Sequence, residues 1–416
     1  MNKTKPFEIS KWAVWHAYQR IKANKGGAGV DQQTMEDFEA DLKNNLYKLW
    51  NRMSSGSYFP PPVRLVEIPK TSGGHRPLGI PTVSDRIAQM VVKMKLEPVL
   101  EPHFHRDSYG YRPRKSAIEA VRIARRRCWR YNWAVDLDIE GFFDTLDHEL
   151  VMRAVKRYTD CPWVILYIQR WLQAPVQHSD GTQATRDQGT PQGSVISPLL
   201  ANLFLHLAFD SWMQAEFPTI PFERYADDML VHCTSEAQAR VVLQRIQQRL
   251  KRCRLKLHPQ KTKIVYCKDD NRRGKGKHES FDFLGFTFRP RCAKNRQGKF
   301  FIGFLPAVSS KAAQRMRQHI RSWHIARRSD RSLEQLVKLV HATFRGWINY
   351  YGQFYPSELR KVFRPFDRAV CRWAMRKFKR LRERPRRAEY WLGGVAQRQP
   401  NLFVHWKRLG NRPSAG

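Results

Sequence analysis

The sequence predicts a mixed α/β (α+β) protein in which a sheet-bearing body gives way to an all-helical region. Three observations lead there. Helix and strand signals alternate from about residue 116 to 290. After Pro306 the hydrophobic period is purely helical. With 42% apolar and 12% aromatic residues, 416 residues can bury a large core, and the length suggests two or three domains.

In chain order, residues 1–115 mix short helices with a Pro-rich extended piece at 58–62. The alternation Val63-Arg64-Leu65-Val66-Glu67-Ile68 then predicts a strand, and from Ser84 the residues Ile87, Met90, Val91 and Met94 share a helical face. Ser116 with Glu119 forms a capping box for a helix that runs into the apolar strand 133–138. A second box, Ser235 with Gln238, opens a helix carrying Val241, Val242, Leu243, Ile246 and Leu250, followed by strand-like Leu255-Lys256-Leu257. A third, Ser332 with Gln335, starts a helix in which Leu333, Leu336, Val340, Phe344, Trp347 and Tyr351 recur at helical spacing. A basic helical stretch, 372–387, precedes a Trp-rich and poorly periodic end.

Lys and Arg number 75 against 37 Asp and Glu, a net charge of +38 that repels the chain from itself unless a polyanion neutralises it. Residues 301–416 alone hold 26 Lys or Arg and six acids, so that region is expected to grip phosphates. A membrane partner is not expected. No run reaches the ~20 apolar residues that span a bilayer, and the best, 195–209, is interrupted by Asn202 and His206. Residues 1–10 also lack a signal-peptide apolar core. Seven cysteines without a C-x-x-C pair argue against a zinc module and a disulfide framework, and for a reducing cytoplasm.

The sharpest chemical feature is Tyr225-Ala226-Asp227-Asp228 between two short apolar runs that would pair as a hairpin. Adjacent carboxylates at such a tip repel unless a cation lies between them, although an Asp-Asp pair alone is equally a solvated turn. Asp138, at the end of an apolar strand, is the partner that decides, because an unpaired buried acid there costs several kcal/mol. Three carboxylates from two strands suit Mg²⁺, and two such ions about 4 Å apart can activate a 3′-hydroxyl and stabilise departing pyrophosphate. Nearby, Asp136 would share a face with Asp138, whereas Asp147 fits a cap for the helix from His148.

Asp138-Ile139-Glu140-Gly141-Phe142-Phe143-Asp144, the run from Gly189 to Asn202 around Pro191-Gln192-Gly193-Ser194, and Tyr225-Ala226-Asp227-Asp228 follow in an order that resembles group II intron-encoded reverse transcriptases, or maturases. The likeness covers nearly the whole chain, with 26–31 similar to that family's N-terminal extension and Arg345-Gly346-Trp347-Ile348-Asn349-Tyr350-Tyr351 to its thumb. It implies a right-hand polymerase fold, with fingers and extension at 1–115, an antiparallel palm at 116–295, a helical thumb at 296–371 and a basic tail at 372–416. It also selects Asp138 over Asp136, and makes Asp138, Asp227 and Asp228 catalytic, with Ile139 among the metal ligands.

By the same resemblance Lys70, Arg76, Gln192 and Lys261 contact the incoming nucleotide, and Phe143 blocks a ribose 2′-hydroxyl. Gly193, Tyr225, Leu284 and Gly285 approach the template or primer. Arg345, Arg372, Arg376, Lys377, Lys379 and Arg380 suit RNA or template–primer backbone. Each has a plainer alternative: solvated cations, a core aromatic at Phe143, a loop glycine at Gly193. Departures are Ser194, where many relatives have glycine, and Gln32. Cys371 is the only cysteine after Cys292, so no Cys/His endonuclease is expected.

The function so implied is an RNA-directed DNA polymerase of a mobile group II intron, which promotes splicing and copies the intron during retrohoming. Its expected cofactor is Mg²⁺, with Mn²⁺ as a substitute. Its expected partners are the intron RNA, target DNA, a template–primer duplex and dNTPs, with a homodimer left open, in the bacterial cytoplasm at the nucleoid. The competing functions are a splicing-only maturase and a domesticated reverse transcriptase of phage defence, diversification or repair.

Overall fold

The computed structural model describes residues 5–24, 26–69, 75–295 and 297–410, with only the backbone of Arg76. The chain forms two compact units, one of Met1–Ala120 with Val135–Thr262 and one of Val121–Ala134 with Lys263–Gly416.

In the first unit the helix Val83–Leu100 begins one residue before Ser84, because the Thr82 side chain accepts from the Asp85 amide. Ile87, Met90 and Val91 are buried and Met94 half-buried, as the face predicted, but Asp85, Ala88, Gln89 and Val92 are buried too. It is thus a central helix enclosed on most sides. A four-stranded sheet lies in the order His75–Ile80, Val63–Pro69, Val176–Gln177, Gln183–Ala184.

A second sheet places Asp228–Cys233 between Phe222–Tyr225 and Trp133–Leu137. Asp147 caps the helix His148–Tyr158 by accepting from the Leu150 amide, as expected. The helix Glu236–Arg252 is capped by Ser235, but Gln238 turns its side-chain oxygen to Thr234 instead of closing the box. Leu255-Lys256-Leu257 does not form a strand: Leu257 makes one isolated bridge, to Ile139.

The second unit departs further from its sequence pattern. Strand structure persists beyond Pro306, since Phe286–Lys294 pairs antiparallel with Phe300–Val308 on one side and Phe281–Phe283 on the other. Proline is tolerated at 306 because that strand is an edge, and at 290 because Phe281–Phe283 reaches only to Phe288. Helices begin at Ser310, nine residues after Phe301, so the thumb as expected from residue 296 starts with a strand.

The helix Leu333–Tyr351 carries the predicted reciprocal box of Ser332 and Gln335. Pro356–Lys377 then runs unbroken through residue 372. The Trp-rich end is poorly periodic because it fills a core: Trp406 and Phe403 are buried, with Phe403 5.2 Å from Phe366. No helix among the described residues is long and apolar enough to cross a membrane.

Candidate active site

Phe222–Tyr225 and Asp228–Cys233 pair with Tyr225 opposite Asp228, so Ala226 and Asp227 alone make the turn and Asp228 begins the strand. Ala226 takes the left-handed φ of 56° that a two-residue hairpin demands. Asp228 is exposed and Asp227 half-buried, while 229–233 are buried, so the tip presents acids on a rigid apolar stem.

Asp138 stands where the neighbouring strand Trp133–Leu137 ends. Its side chain is 34% exposed and Oδ1 lies 3.3 Å from Lys261 Nζ. Its carbonyl accepts from the His258 amide at 2.8 Å, and the Glu140 amide donates to the Lys256 carbonyl at 2.8 Å. Ile139 is therefore the non-hydrogen-bonded residue of that bridge, and its carbonyl points away from 256–258.

Three polar residues absent from the sequence-based site hold the turn. Arg224, fully buried, forks onto Asp210 and extends Nη1 to the Asn202 side-chain oxygen at 2.9 Å and the Ala226 carbonyl at 3.1 Å. Asn202 in turn donates to the Gly110 carbonyl at 2.6 Å. A Cβ on Gly110 would overlap the Ala226 amide, so glycine is required for the backbone to press on the turn. The signal was present: Asn202 and Asp210 are polar residues in or beside the most apolar run, where burial needs a partner. Beneath the hairpin, Glu223 and His232 form a fully buried pair at 2.6 Å.

The 189–196 loop is fastened to the first sheet and to the central helix. The Gly79 amide donates to the Gln192 carbonyl at 2.7 Å, and the Val195 and Ile196 amides donate to Gln89 Oε1 at 2.8 and 3.2 Å. Gly193 has φ 116°, and a Cβ there would overlap the Gly79 carbonyl. The close approach that this glycine permits is thus to the protein's own strand. Gln89 is held by Asp85, which also accepts from Tyr58 and Trp171. Burial lifts Asp85 to about 6, against the lowering effect of those three donors.

Phe142 is the core aromatic, 2% exposed, whereas Phe143 is half-exposed on the short turn Phe142–Asp144. Lys70 lies outside the described residues, as does the side chain of Arg76, which stands on the strand His75–Ile80.

In the second unit Leu284 and Gly285 form the two-residue turn between Phe281–Phe283 and Phe286–Lys294, with φ of 50° and 81°. Both positive values are what a type I′ hairpin needs. Tyr350 Oη donates to the Leu284 carbonyl at 2.8 Å, and both Tyr350 and Tyr351 pack on Phe286. Arg345, Arg372, Lys379 and Arg380 are exposed. Arg376 and Lys377, by contrast, donate to the Ala326, Ser329 and Arg331 carbonyls, which ties a loop.

Among the described residues no three His, Cys, Asp or Glu side chains are grouped so as to hold a metal ion. Asp138 takes the Lys261 ammonium as its counter-charge. The donor chemistry nevertheless fits a hard cation: carboxylate oxygens on two neighbouring strands, and the outward carbonyl of Ile139.

The sheet carries acids at a hairpin tip and just past the end of the neighbouring strand, and the chain belongs to the family described as reverse transcriptase (RNA-dependent DNA polymerase), which it matches over residues 68–288. Residues 313–391 match the group II intron, maturase-specific domain. Among its relatives, Protein YkfC of Escherichia coli (strain K12) is 33% identical over 293 residues, 60% of this chain and 76% of YkfC. Group II intron-encoded protein LtrA of Lactococcus lactis subsp. cremoris is 35% identical over 193 residues, 46% of this chain and 32% of LtrA. The Putative COX1/OXI3 intron 1 protein of Saccharomyces cerevisiae is 33% identical over 198 residues, 48% of this chain. The chain spans only 24% of that intron protein.

Proposed function

We propose that this protein extends a DNA 3′ end on an RNA template and also binds a group II intron RNA to promote its splicing and its copying into DNA. The observation that carries the polymerase is the placement of Asp138 and the Tyr225-to-Asp228 tip on adjacent strands of one sheet. Asp138, Asp227, Asp228 and the Ile139 carbonyl would hold Mg²⁺. When bound, Mg²⁺ activates the primer hydroxyl and stabilises the leaving pyrophosphate.

The protein's own groups orient the substrates. Lys261, beside Asp138, supplies a cation for the triphosphate once the carboxylate has another partner. Gln192 and Gly193, fixed to Gly79, offer a rigid wall to the base pair, and the partly exposed Phe143 would exclude a 2′-hydroxyl. Residues 1–115 serve as fingers, 116–295 as palm and the following helices as a thumb that grips RNA backbone. Target DNA, a template–primer duplex and residence at the bacterial nucleoid follow from the same role.

Primer extension on an RNA template with purified protein and Mg²⁺ tests this. Wild type should extend, and Asp227→Ala should lose on the order of 10³-fold or more in rate while still binding intron RNA. Equal extension by both removes the assignment of the acids. Absence of extension by wild type, with intron RNA bound, leaves a splicing protein without polymerase activity.

A further inference from the structure

We infer that the second unit carries a site for an unpaired RNA nucleotide with its flanking phosphates, in a cavity between the loop after Ser310–Ser322 and the middle of Pro356–Lys377. It deepens the RNA-binding part of the proposed function and rests on it. The cavity measures about 440 Å³, within the range of about 300–1,000 Å³ that holds small organic ligands.

Its walls are arginines. Arg321, Arg327, Arg368 and Arg372 line it, and none of the residues lining it is acidic. Among the described residues none of these four guanidiniums has a hydrogen-bond or ion-pair partner. Arg376 closes the end, with Nη1 on the Ala326 carbonyl at 3.0 Å, so it holds the loop in place. Arg368, Arg372 and Arg376 are spaced by four along one helix, a step of about 6 Å, and like charges at that spacing destabilise a helix. An arrangement that weakens the fold when empty needs an anion.

The floor selects among anions. Ile320, Ile325, Pro365 and Ala369 are apolar and lie beneath the arginine rim. Free phosphate gains nothing from such a floor. The stacked bases of a duplex cannot reach it, whereas a splayed base can lie on it with guanidinium planes against its face and phosphates at the rim. The occupant that meets both requirements is a bulged or looped nucleotide.

The full chain should be titrated with three labelled probes over a series of salt concentrations: an RNA hairpin with a single-nucleotide bulge, the same hairpin fully paired, and the bulged DNA counterpart. Wild type is expected to prefer the bulged RNA. Arg321→Glu/Arg368→Glu should weaken that complex at least tenfold, abolish the preference, and lower the salt slope by about 1.4, two phosphates at ~0.7 each. The charge-matched pair Lys338→Glu/Lys407→Glu, on exposed positions outside the cavity, should do neither, with folding of both checked by circular dichroism. Equal loss in the two double variants, or no preference of wild type among the probes, overturns the site. Primer extension by wild type separates that failure from failure of the polymerase assignment.

Discussion

Arg224 grips Asp210 through two hydrogen bonds of 2.7 and 2.6 Å, with both side chains fully buried, and the same guanidinium reaches the Ala226 carbonyl inside the acidic turn. A charge pair taken wholly out of water is held by geometry, and breaking it leaves one charge unmet. Here that geometry positions the turn that presents Asp227.

Replacing Arg224 by Met or Asp210 by Ala should therefore cost about 3–5 kcal/mol of stability, read as a lower urea midpoint. Arg224→Lys should not rescue, because one ammonium cannot serve the fork, Asn202 and Ala226 together. Full activity and an unshifted midpoint in Arg224→Lys would show that the pair is not needed to hold the turn.

Gly110→Ala forces a methyl group onto the Ala226 amide. The turn must move, so kcat for primer extension should fall by about 10²-fold, the effect of a ~1 Å misplacement, with RNA affinity retained. Unchanged kcat would mean that the turn adapts freely.

Asp85 ties Gln89, and through it the Val195 and Ile196 amides, to the central helix. Since burial raises its folded pKa to about 6 from 3.8, the folded protein binds this proton more tightly than the unfolded chain. Its contribution is then largest below the unfolded value and declines as pH rises from about 4 to 6, by up to about 3 kcal/mol. Asp85→Asn should abolish that decline in a stability-versus-pH series. It should also raise KM for dNTP, because Asn would turn an amide toward the Gln89 amide. An identical pH slope in both proteins refutes the assignment.

Phe143→Ala should admit ribonucleotides, improving rNTP over dNTP use by about ten- to a hundredfold. Competition between the two nucleotide pools during primer extension measures it. Unaltered discrimination transfers the role to another side chain.

The local elements were legible wherever local chemistry decides. Asp147 and Ser332 cap as their spacing implies, and the Asp-Asp hairpin forms because two apolar runs flank a two-residue turn. The strand Phe300–Val308 was not, since its Pro306 reads as a breaker unless one knows that it lies at an edge. The packing of Gly193 against the Gly79 carbonyl was not legible either, since the two are 114 residues apart in sequence.

Residue order alone determined the kind of protein this is: an Asp-Asp hairpin, an acid after an apolar strand, a surplus of cations, and motifs that place the chain among reverse transcriptases. Those depend on residue type and short spacing, which a sequence displays directly. Only the tertiary structure decided what holds the acids in place, through Arg224, Asp210, Asn202 and Gly110, and what separates Arg376, bound to a carbonyl, from Arg372, open to a ligand. A buried polar group is defined by the partner that satisfies it, and such partners meet only when distant segments pack.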